Sequence, residues 1–398
     1  MAVMAPNRAY DLVLFGATGF TGGLTADYLA THAPADLRWA VAGRDPQRLA
    51  EVAGRLAGLG AFVDTVTADS TDAASLQALT ESTRLVATTV GPYQQYGAPL
   101  VAAAARAGTD YLDLTGEPEF VDRMWLEHQD TAVSTGARLV HCCGFDSIPH
   151  DLGVLWTVHQ APEGVPLTVR GFVRADASIS GGTYASALSA VGRARHGRSA
   201  AAERRRLEPR GERRVRSLPP RPQRVPGTQR WSVPLPTIDP VVVRRSARAL
   251  SRYGPDFTYS HAVEVGSPAV AAAAVLGFAG VAAAAQLTPG RDLLLRLKPS
   301  GHGPDAARRA RSWFRVRFHT TWPVGLERAH LVTEVAGGDP GYDETAKMLA
   351  ESALCLLRDD VPRTAGQVTP AQAMGLALVD RLTAAGMTFT VRDGPTIR

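Results

Sequence analysis

Two short stretches place side chains that can donate or accept a proton directly after an apolar run. TTVGPYQQYG presents Tyr93 and Tyr96, and HCCGFDSIPHDLG presents Asp146 and Ser147. A phenol or hydroxyl can donate a hydrogen bond to an oxygen on which negative charge develops, whereas an ionised carboxylate cannot. Tyr93 is therefore our first candidate for a catalytic donor, and Ser147 is the second. Asp146 is expected to orient Ser147 or His150.

These polar residues also have a purely structural interpretation. Pro149 is a favourable first residue of a helix, so Asp146 or Ser147 could simply cap that helix. The adjoining His-Cys-Cys triplet, residues 141–143, contains metal-ligand types. Consecutive residues of a strand point to opposite faces, however, so we expect no metal site in this triplet.

A glycine-rich turn near the N-terminus has the features of a phosphate-binding turn. In DLVLFGATGFTGGLTADYLA, residues 11–30, three glycines follow an apolar run and precede a helix-like segment. Glycines allow a close approach to a pyrophosphate, which the free amides at the start of the helix can bind. The spacing is one residue longer than the usual dinucleotide pattern, and a turn without a ligand is the alternative. The expected cofactor contacts are Gly16, Thr18, Gly19, Phe20, Thr21 and Gly22.

The end of the second apolar run, AVAGRD, indicates the type of dinucleotide. NAD sites commonly place an acidic residue here, whereas Arg44 suits the 2′-phosphate of NADP. We therefore expect NADP (NADPH), with NAD less favoured but retained because Asp45 is adjacent. Asp69 is expected to accept from the adenine amino group or to cap the next helix. Gly91 and Pro92 would form the floor beneath the nicotinamide.

The stretch ISGGTYASAL offers candidate substrate contacts in the second part of the chain. Thr183, Tyr184 and Ser186 could bind a thioester carbonyl together with Tyr96, and Thr183 is a further candidate donor. The alternative is a strand-to-helix turn that Thr183 caps.

These candidates are positioned by apolar runs that alternate with helix-like segments such as Pro99–Ala107. The predicted strands are Leu12–Phe15, Trp39–Ala42, Val63–Val66, Leu85–Val90, Tyr111–Leu114 and Leu139–Cys142. This alternation predicts an α/β fold, a Rossmann-type doubly wound parallel sheet, in which ligands lie beyond the carboxyl ends of the strands.

A second domain is expected to follow, with an α+β fold and a mainly antiparallel sheet. Its predicted strands are the longer alternating segments Thr168–Ala175, Trp313–Thr321 and His330–Val335. We expect an NADP-binding domain over residues 1–150, a substrate domain over 151–340 and a C-terminal helical segment over 341–398 that packs back on the first domain, with a helix over Tyr342–Leu357.

Two segments of the second domain have unusual compositions. Residues 201–230 are rich in arginine and proline, which predicts a mobile loop; it is either a docking site for an acidic acyl carrier protein or a solvated linker. Residues 265–290 carry no charge and are mainly alanine. We favour a packed or surface-docked helix there, with peripheral membrane contact, over a spanning segment.

Composition bears on the number of domains, on the kind of partner and on the cellular compartment. A chain of 398 residues that is 45% hydrophobic can form two or more packed domains. The 43 basic and 38 acidic residues give a net charge of +5 carried almost entirely by arginine, which we attribute to composition and not to a nucleic-acid partner. Three cysteines and no secretory signal at the start predict a cytoplasmic protein.

Taken together, the motifs resemble the saccharopine dehydrogenase-like oxidoreductases, and most closely their actinobacterial branch of trans-acting enoyl reductases. The motifs are GATGFTG, AGR, VGPY, YLDLTGE, GFDSIPHDLG, SGGTYAS, VVRRSARAL and GGDPGYDETAKMLAESAL, which span nearly the whole chain. The resemblance implies a Rossmann domain, a mixed substrate domain and use of NAD(P)H. The branch is similar to enzymes that reduce double bonds in polyketide-derived lipids carried by a synthase, whereas saccharopine dehydrogenases act on an imine.

The absence of a short-chain reductase dyad favours alkene reduction. The nearest match to Tyr-x-x-x-Lys is Tyr342 with Lys347, which has four intervening residues. Hydride transfer without an obvious strong acid suits a conjugated alkene, whose α-carbon takes its proton late or from water. We therefore expect an NADPH-dependent enoyl reductase that acts on a lipid or polyketide-type acyl chain. The alternatives are a carbonyl or imine reductase and a non-catalytic NADP-binding protein of lipid surfaces.

Overall fold

The computed structural model describes residues 8–177, 184, 188, 191–209, 211, 213–219, 221–286 and 303–397. The strands are β1 (Tyr10–Phe15), β2 (Trp39–Gly43), β3 (Asp64–Thr67), β4 (Thr83–Thr88), β5 (Asp110–Asp113), β6 (Arg138–Val140), β7 (Leu167–Asp176), β8 (Arg214–Ser217), β9 (Gln223–Arg224), β10 (Trp231–Pro234), β11 (Asp256–Val265), β12 (Trp313–Val324), β13 (Glu327–Gly337), β14 (Gly366–Val368) and β15 (Thr388–Ile397).

The helices lie between these strands. They are α1 (Phe20–His32), α2 (Pro46–Gly58), α3 (Ala73–Ser82), α4 (Tyr93–Tyr96), α5 (Ala98–Ala107), α6 (Pro118–Thr135), α7 (Ile148–His159), α8 (Ala194–Leu207), α9 (Asp239–Ala249), α10 (Pro268–Ala285), α11 (Ala306–Arg311), α12 (Asp343–Arg358) and α13 (Pro370–Ala384), with a 3₁₀ turn at Ser251–Tyr253.

The first sheet has seven strands in the order β14-β6-β5-β4-β1-β2-β3, and every pairing in it is parallel. The predicted Rossmann-type parallel sheet is confirmed. Its inner strands are buried on both faces, as parallel strands usually are, whereas the edge strand β3 is mostly exposed. In β1, Leu12 and Leu14 join one apolar core and Val13 and Phe15 join the other.

The C-terminal segment contributes more than helices to this sheet. The short strand β14 pairs with β6 at one edge, so the sheet contains a strand that the apolar runs did not predict. Helix α12 packs against α1, where the Tyr28 hydroxyl donates to Glu351 at 2.7 Å. At three residues, β14 is too short for its period to be recognised in the sequence.

The second sheet runs β15-β13-β12-β7-β11-β10-β9, with β8 paired to β11. The pairs of β12 with β13 and with β7 are antiparallel, as predicted for a mainly antiparallel sheet. Strands β7 and β8 instead pair with β11 in parallel. A parallel pair needs a long crossover, and the chain between β7 and β11 provides it.

The described residues of the arginine-rich segment 201–230 include part of a helix and two strands, so the prediction that this segment is a loop is wrong, and its mobility stays a prediction. Helix α8 extends through its start, and β8 and β9 follow. The buried Arg204 explains the order at the helix, because its guanidinium pairs with Asp122 at 3.4 Å and with Glu208 at 2.6 Å and lies over the Trp125 ring. A charge-rich sequence can therefore form part of a packed surface.

Helix α10 occupies most of the charge-free segment 265–290. By its length and its apolar composition alone, this helix could cross a membrane. It projects from the fold more than it packs, since 12% of it is buried. Val270, Leu276 and Phe278 are 50%, 73% and 48% exposed. The prediction of a packed helix is therefore wrong, and the surface-docked and membrane-spanning alternatives both stay open.

Candidate functional site

The glycine-rich turn has the backbone geometry of a pyrophosphate site. Gly16 has φ +95°, and a Cβ there would lie 2.8 Å from Thr89 Oγ1. A Cβ on Gly22 would lie 2.1 Å from the Gly16 carbonyl oxygen, so α1 can approach β1 this closely only with glycine. Gly19 precedes α1, and no side chain caps the helix. The first amides of α1 are thus left for an anion.

Two of the predicted cofactor contacts in this turn, Phe20 and Thr18, also interact with other residues of the protein. The Phe20 ring packs against Tyr342, with ring centroids 5.0 Å apart, and the Arg309 guanidinium lies over it at 5.5 Å. Phe20 therefore offers a cofactor its backbone amide and not its ring. Thr18 lies beside the end of β2, where its carbonyl accepts from Arg48 at 3.0 Å. Thr21 is half-buried in the first turn of α1.

The end of β2 fits the 2′-phosphate of NADP. Arg44 is exposed there, and Arg48 is held beside it over the glycine-rich turn. Asp45 was the reason for retaining NAD as an alternative cofactor. Its side chain instead caps α2, where it accepts from the amides of Gln47 at 3.0 Å and Arg48 at 3.2 Å. Sequence reasoning missed Arg48, although its position one turn after Arg44 was the available signal.

Asp69 lies at the end of β3 and organises its own turn. Its Oδ1 accepts from the Thr71 amide and hydroxyl, both at 2.8 Å, while Asp72 caps α3. Hydrogen bonds from Thr71, and then the charge of Arg44, hold the pKa of Asp69 below its usual range. The capping alternative is thus wrong, and the contact with adenine stays a prediction.

Tyr93 is buried, and its hydroxyl is fully engaged within the protein. It donates to the Thr88 carbonyl at 3.0 Å and accepts from the Leu114 amide at 3.1 Å. Burial, followed by the charge of Asp113, raises its pKa well above the usual value. These two bonds join the ends of β4 and β5 and favour a structural role for Tyr93, so its role as the catalytic donor stays a prediction.

Two buried carboxylates that sequence reasoning missed hold the floor of the site. Asp113 accepts from His141 Nδ1 at 2.6 Å and from the Tyr111 hydroxyl at 3.0 Å. Glu117 accepts from the amides of Tyr93 at 3.1 Å and Gln94 at 2.8 Å, just after Gly91 and Pro92. These bonds fix the loops after β4, β5 and β6 relative to one another. Their signal was the pair of acids in YLDLTGE.

The His-Cys-Cys triplet after β6 is part of this floor. His141 is bonded to Asp113, and the amides of Cys142 and Cys143 also bond to Asp113, through its side chain at 3.0 Å and its carbonyl at 2.7 Å. Cys142 has φ 66°, a left-handed conformation that is uncommon for a side-chain-bearing residue. The Asp113 carboxylate supports this conformation.

Ser147 and Asp146 lie between β6 and α7, and neither side chain caps the helix. Ser147 is fully buried, and its hydroxyl donates to the Asp146 carbonyl at 2.5 Å. Ser147 is therefore not available as a donor to a substrate. Asp146 is half-buried, and its carboxyl makes no hydrogen bond or ion pair with any residue that the structure describes.

A buried polar cluster lies behind this position. His150 of α7, Asp239 of α9 and His261 of β11 have their side-chain nitrogen and oxygen atoms within 4.8 Å of one another. His150 Nδ1 is 2.9 Å from Asp239 Oδ1, and His261 Nε2 is 3.8 Å from Asp239 Oδ2. Thr237 bonds to both Asp239 and His261. The Asp146 carboxylate was expected to orient Ser147 or His150 through a hydrogen bond, and no such bond is observed among the described residues.

The predicted substrate contacts are only partly described. Tyr96 ends α4 and is 39% exposed, so its phenol can reach a ligand. Tyr184 is half-buried in a helical turn. Thr183 and Ser186 lie outside the described residues.

The fold and the site define the class of protein. A parallel sheet with β3-β2-β1-β4-β5-β6 order, a glycine-rich turn after β1 and arginines after β2 form a Rossmann dinucleotide site suited to NADP. The family model for the saccharopine dehydrogenase NADP binding domain matches residues 12–140. This is the region that carries the glycine-rich turn and Arg44.

Comparison with known proteins extends the likeness to the full chain. A Mycobacterium tuberculosis protein, named provisionally as a trans-acting enoyl reductase, is 39% identical over 97% of this chain and 98% of its own. The trans-acting enoyl reductase of Mycobacterium bovis is 36% identical over 96% and 98%. The yeast saccharopine dehydrogenase (L-Glu forming) shares the fold, with TM-score 0.57 and 12% identity over 96% of this chain and 100% of that one.

The chain belongs to the saccharopine dehydrogenase-like oxidoreductases, in the branch of the trans-acting enoyl reductases. It is an NADP-dependent oxidoreductase, as predicted.

Proposed function

We propose that this enzyme reduces a carbon–carbon double bond in a lipid or polyketide-type acyl chain while a carrier protein holds that chain. The full-length likeness to two relatives named as trans-acting enoyl reductases carries the proposal, because it includes the cofactor site and the substrate domain together. When bound, NADPH supplies a hydride to the β-carbon of the alkene.

The chain's own residues then have distinct tasks. The amides at the start of α1 hold the pyrophosphate, and Arg44 with Arg48 holds the 2′-phosphate. Gly91 and Pro92 form a floor that Glu117 fixes from below. The exposed Tyr96 stands at the rim, where an acyl chain would enter.

One face of α8 supports a carrier protein as the partner. Arg195, Arg198, Arg205 and Arg206 are exposed, and at 3.6 residues per turn they fall within about 100° of the helix circumference. None of the four pairs with an acid among the described residues. Clustered positive charge of this kind speeds encounter with an acidic partner such as an acyl carrier.

The start of α8 is connected to the cofactor floor. Arg193 donates to Glu119 Oε2 at 2.9 Å, and the Gln94 side chain donates to Glu119 Oε1 at 3.3 Å. Gln94 follows Pro92 and Tyr93 in the chain. A carrier bound on α8 would therefore lie beside the site at which its acyl chain must react.

An assay with paired substrates tests the reaction. NADPH oxidation is measured with an α,β-unsaturated thioester, the matching ketone and a matching imine, and the products are weighed by mass spectrometry. We expect the alkene to gain two hydrogens. Reduction of the ketone or imine alone would overturn the proposal, and tight NADPH binding without turnover of any substrate would favour a non-catalytic role.

Charge reversal on α8 tests the partner. Arg195→Glu with Arg198→Glu should slow reduction of a carrier-bound enoyl chain, reduce its salt dependence and spare a free thioester. Arg328→Glu, at an exposed position in β13, is the matched control. Equal rates with the carrier-bound chain in all three proteins would exclude α8 as the docking face.

We further propose that the protein works in the cytoplasm in peripheral contact with a lipid surface through α10. Its exposed apolar side chains, together with the lipid type of the proposed substrate, support this contact. Leu276→Ser with Phe278→Ser should lower co-sedimentation with anionic liposomes, whereas Leu326→Ser, at a fully exposed leucine between β12 and β13, should not. Unchanged sedimentation of the double variant would contradict the contact.

A further inference from the structure

We propose that Asp146 is the acid that protonates the α-carbon of the alkene, and that Asp239 keeps it protonated until it reacts. The inference rests on the proposed function, since it assigns the proton that alkene reduction requires. Sequence reasoning had excluded Asp146 as a donor because an ionised carboxylate cannot donate.

The position of Asp146 is that of a group facing the reacting atoms. It follows β6, and its Oδ2 lies 2.9 Å from where a Cβ on Gly116 would stand. Gly116 belongs to the loop after β5, so the carboxyl lies between the carboxyl ends of β5 and β6. In this fold the ring of the cofactor binds beyond those ends. Any side chain on Gly116 would displace the acid.

Asp146 is also the candidate whose polar atoms remain available. The hydroxyls of Tyr93 and Ser147 both donate to backbone carbonyls. The carboxyl of Asp146 has no bond to any described residue, and the residue is half-buried and not fully enclosed. It can therefore approach a substrate and can recover its proton from solvent after turnover.

Charged and titratable groups surround Asp146 from three elements. The charges of Asp239 in α9 and His150 in α7 act on Asp146, and the charge of Asp146 acts on the Cys142 thiol in the segment after β6. Burial, then the negative charge of Asp239, raises the pKa of Asp146 to about 7, while the positive charge of His150 opposes the rise. Burial likewise raises the pKa of Cys142, so that thiol stays neutral.

Asp239 is built to stay ionised. Burial alone would raise its pKa, but the charge of His150, whose Nδ1 lies 2.9 Å from Asp239 Oδ1, and the Thr237 hydrogen bond hold the pKa below the usual value. Because Asp239 carries the negative charge of this buried cluster, Asp146 is the carboxyl of the two that takes up a proton. Two neighbouring carboxyls with separated pKa values are a common arrangement for acid catalysis.

The proton balance of the step is simple. As hydride adds to the β-carbon, the electron pair of the double bond moves toward the α-carbon and the thioester oxygen. The O–H bond of Asp146 then breaks, a C–H bond forms at the α-carbon, and an Asp146 carboxylate remains. Solvent returns one proton to that carboxylate before the next turnover.

The first test follows the proton directly. In deuterated water the wild-type enzyme should label the α-carbon on a single face. Asp146→Asn should lower kcat by about 10²-fold or more, the usual contribution of a general acid, and should give label on both faces. Unchanged facial selectivity and rate in Asp146→Asn would overturn the inference.

The second test uses the pH profile of kcat, which a purely structural role would not shift. Activity should fall as the pH rises through about 7, because the acid loses its proton. Asp239→Asn should move this fall to lower pH, and His150→Gln should move it to higher pH. Asp151→Asn, which alters the buried carboxyl of the residue after His150 in α7, is the control and should not change the pH at which activity falls.

The outcomes separate the inference from the proposed function. If wild-type protein reduces no alkene, the proposed function fails. If wild-type protein reduces the alkene but the fall of kcat with rising pH occurs at the same pH in both Asp239→Asn and His150→Gln, only the assignment of Asp146 and Asp239 fails. Thermal unfolding of each variant identifies any that have lost their fold, and the labelling test on Asp146→Asn then decides.

Discussion

Replacing Tyr93 with phenylalanine distinguishes a structural tyrosine from a catalytic one. The hydroxyl joins the carbonyl of Thr88, at the end of β4, to the amide of Leu114, just after β5. Phenylalanine keeps the ring, which packs near Phe120 with centroids 5.9 Å apart. The change therefore removes two hydrogen bonds and very little apolar contact.

The expected cost can be worked out from these bonds. Each hydrogen bond contributes about 0.5–1.5 kcal/mol, and a buried donor left without a partner costs about 1–3 kcal/mol. Leu114 has no other hydrogen bond for its amide among the described contacts. We therefore expect Tyr93→Phe to lower the free energy of unfolding by about 2–3 kcal/mol and to leave kcat within a few fold of wild type.

Three measurements on Tyr93→Phe test this expectation: chemical unfolding, NADPH affinity and turnover of an unsaturated thioester. Tyr96→Phe is the control for stability. Tyr96 is 39% exposed, so this variant should have the same free energy of unfolding as the wild type. A fall in kcat of about 10²–10³-fold at unchanged stability would refute the reasoning, since that is the cost of losing a donor to a developing oxyanion.

Two further changes test the cofactor site. Arg44→Ala should weaken NADPH binding by about 1.5–3 kcal/mol, the contribution of a hydrogen bond to a charged group, and leave NADH binding nearly unchanged; calorimetric titration with both cofactors measures it, and equal losses would contradict the role of Arg44. Gly22→Ala should abolish NADPH binding, because its Cβ would lie 2.1 Å from the Gly16 carbonyl oxygen, whereas Gly23→Ala, whose Cβ would meet nothing nearer than 3.7 Å, should bind normally. Normal binding by Gly22→Ala would show that the turn is not held this tightly.

The parts of this protein that the sequence predicted depend on local patterns. Short apolar runs predicted the six strands from β1 to β6; in the inner strands such as β1 and β2, burial on both faces leaves little room for polar residues, whereas β3 at the edge is mostly exposed. Gly16 and Gly22 were recognisable because only glycine fits a positive φ or a helix this close to a strand. Arg44 was recognisable because its charge and position suit a phosphate.

The parts that the sequence did not predict depend on partners that folding brings together. Tyr93 receives its bond from Leu114, 21 residues away, and nothing in VGPY indicates that partner. Arg204 looked like part of a solvated run until the fold paired it with Asp122, 82 positions away. Residue type indicates which chemistry a side chain can perform, whereas the partners decide whether it is free to perform it.

The same rule explains how the polar residues at the carboxyl ends of the strands divide their tasks. Asp113 and Glu117 accept several hydrogen bonds each, and these bonds hold the backbone in place. A carboxyl used in this way cannot release a proton to a substrate without loosening the floor it supports. Asp146 has no such bonds with the residues that the structure describes, and the negative charge of Asp239 favours its protonated form. A reductase that needs a rigid floor and a mobile proton therefore requires separate carboxyls for the two purposes, and the described part of this site contains both kinds.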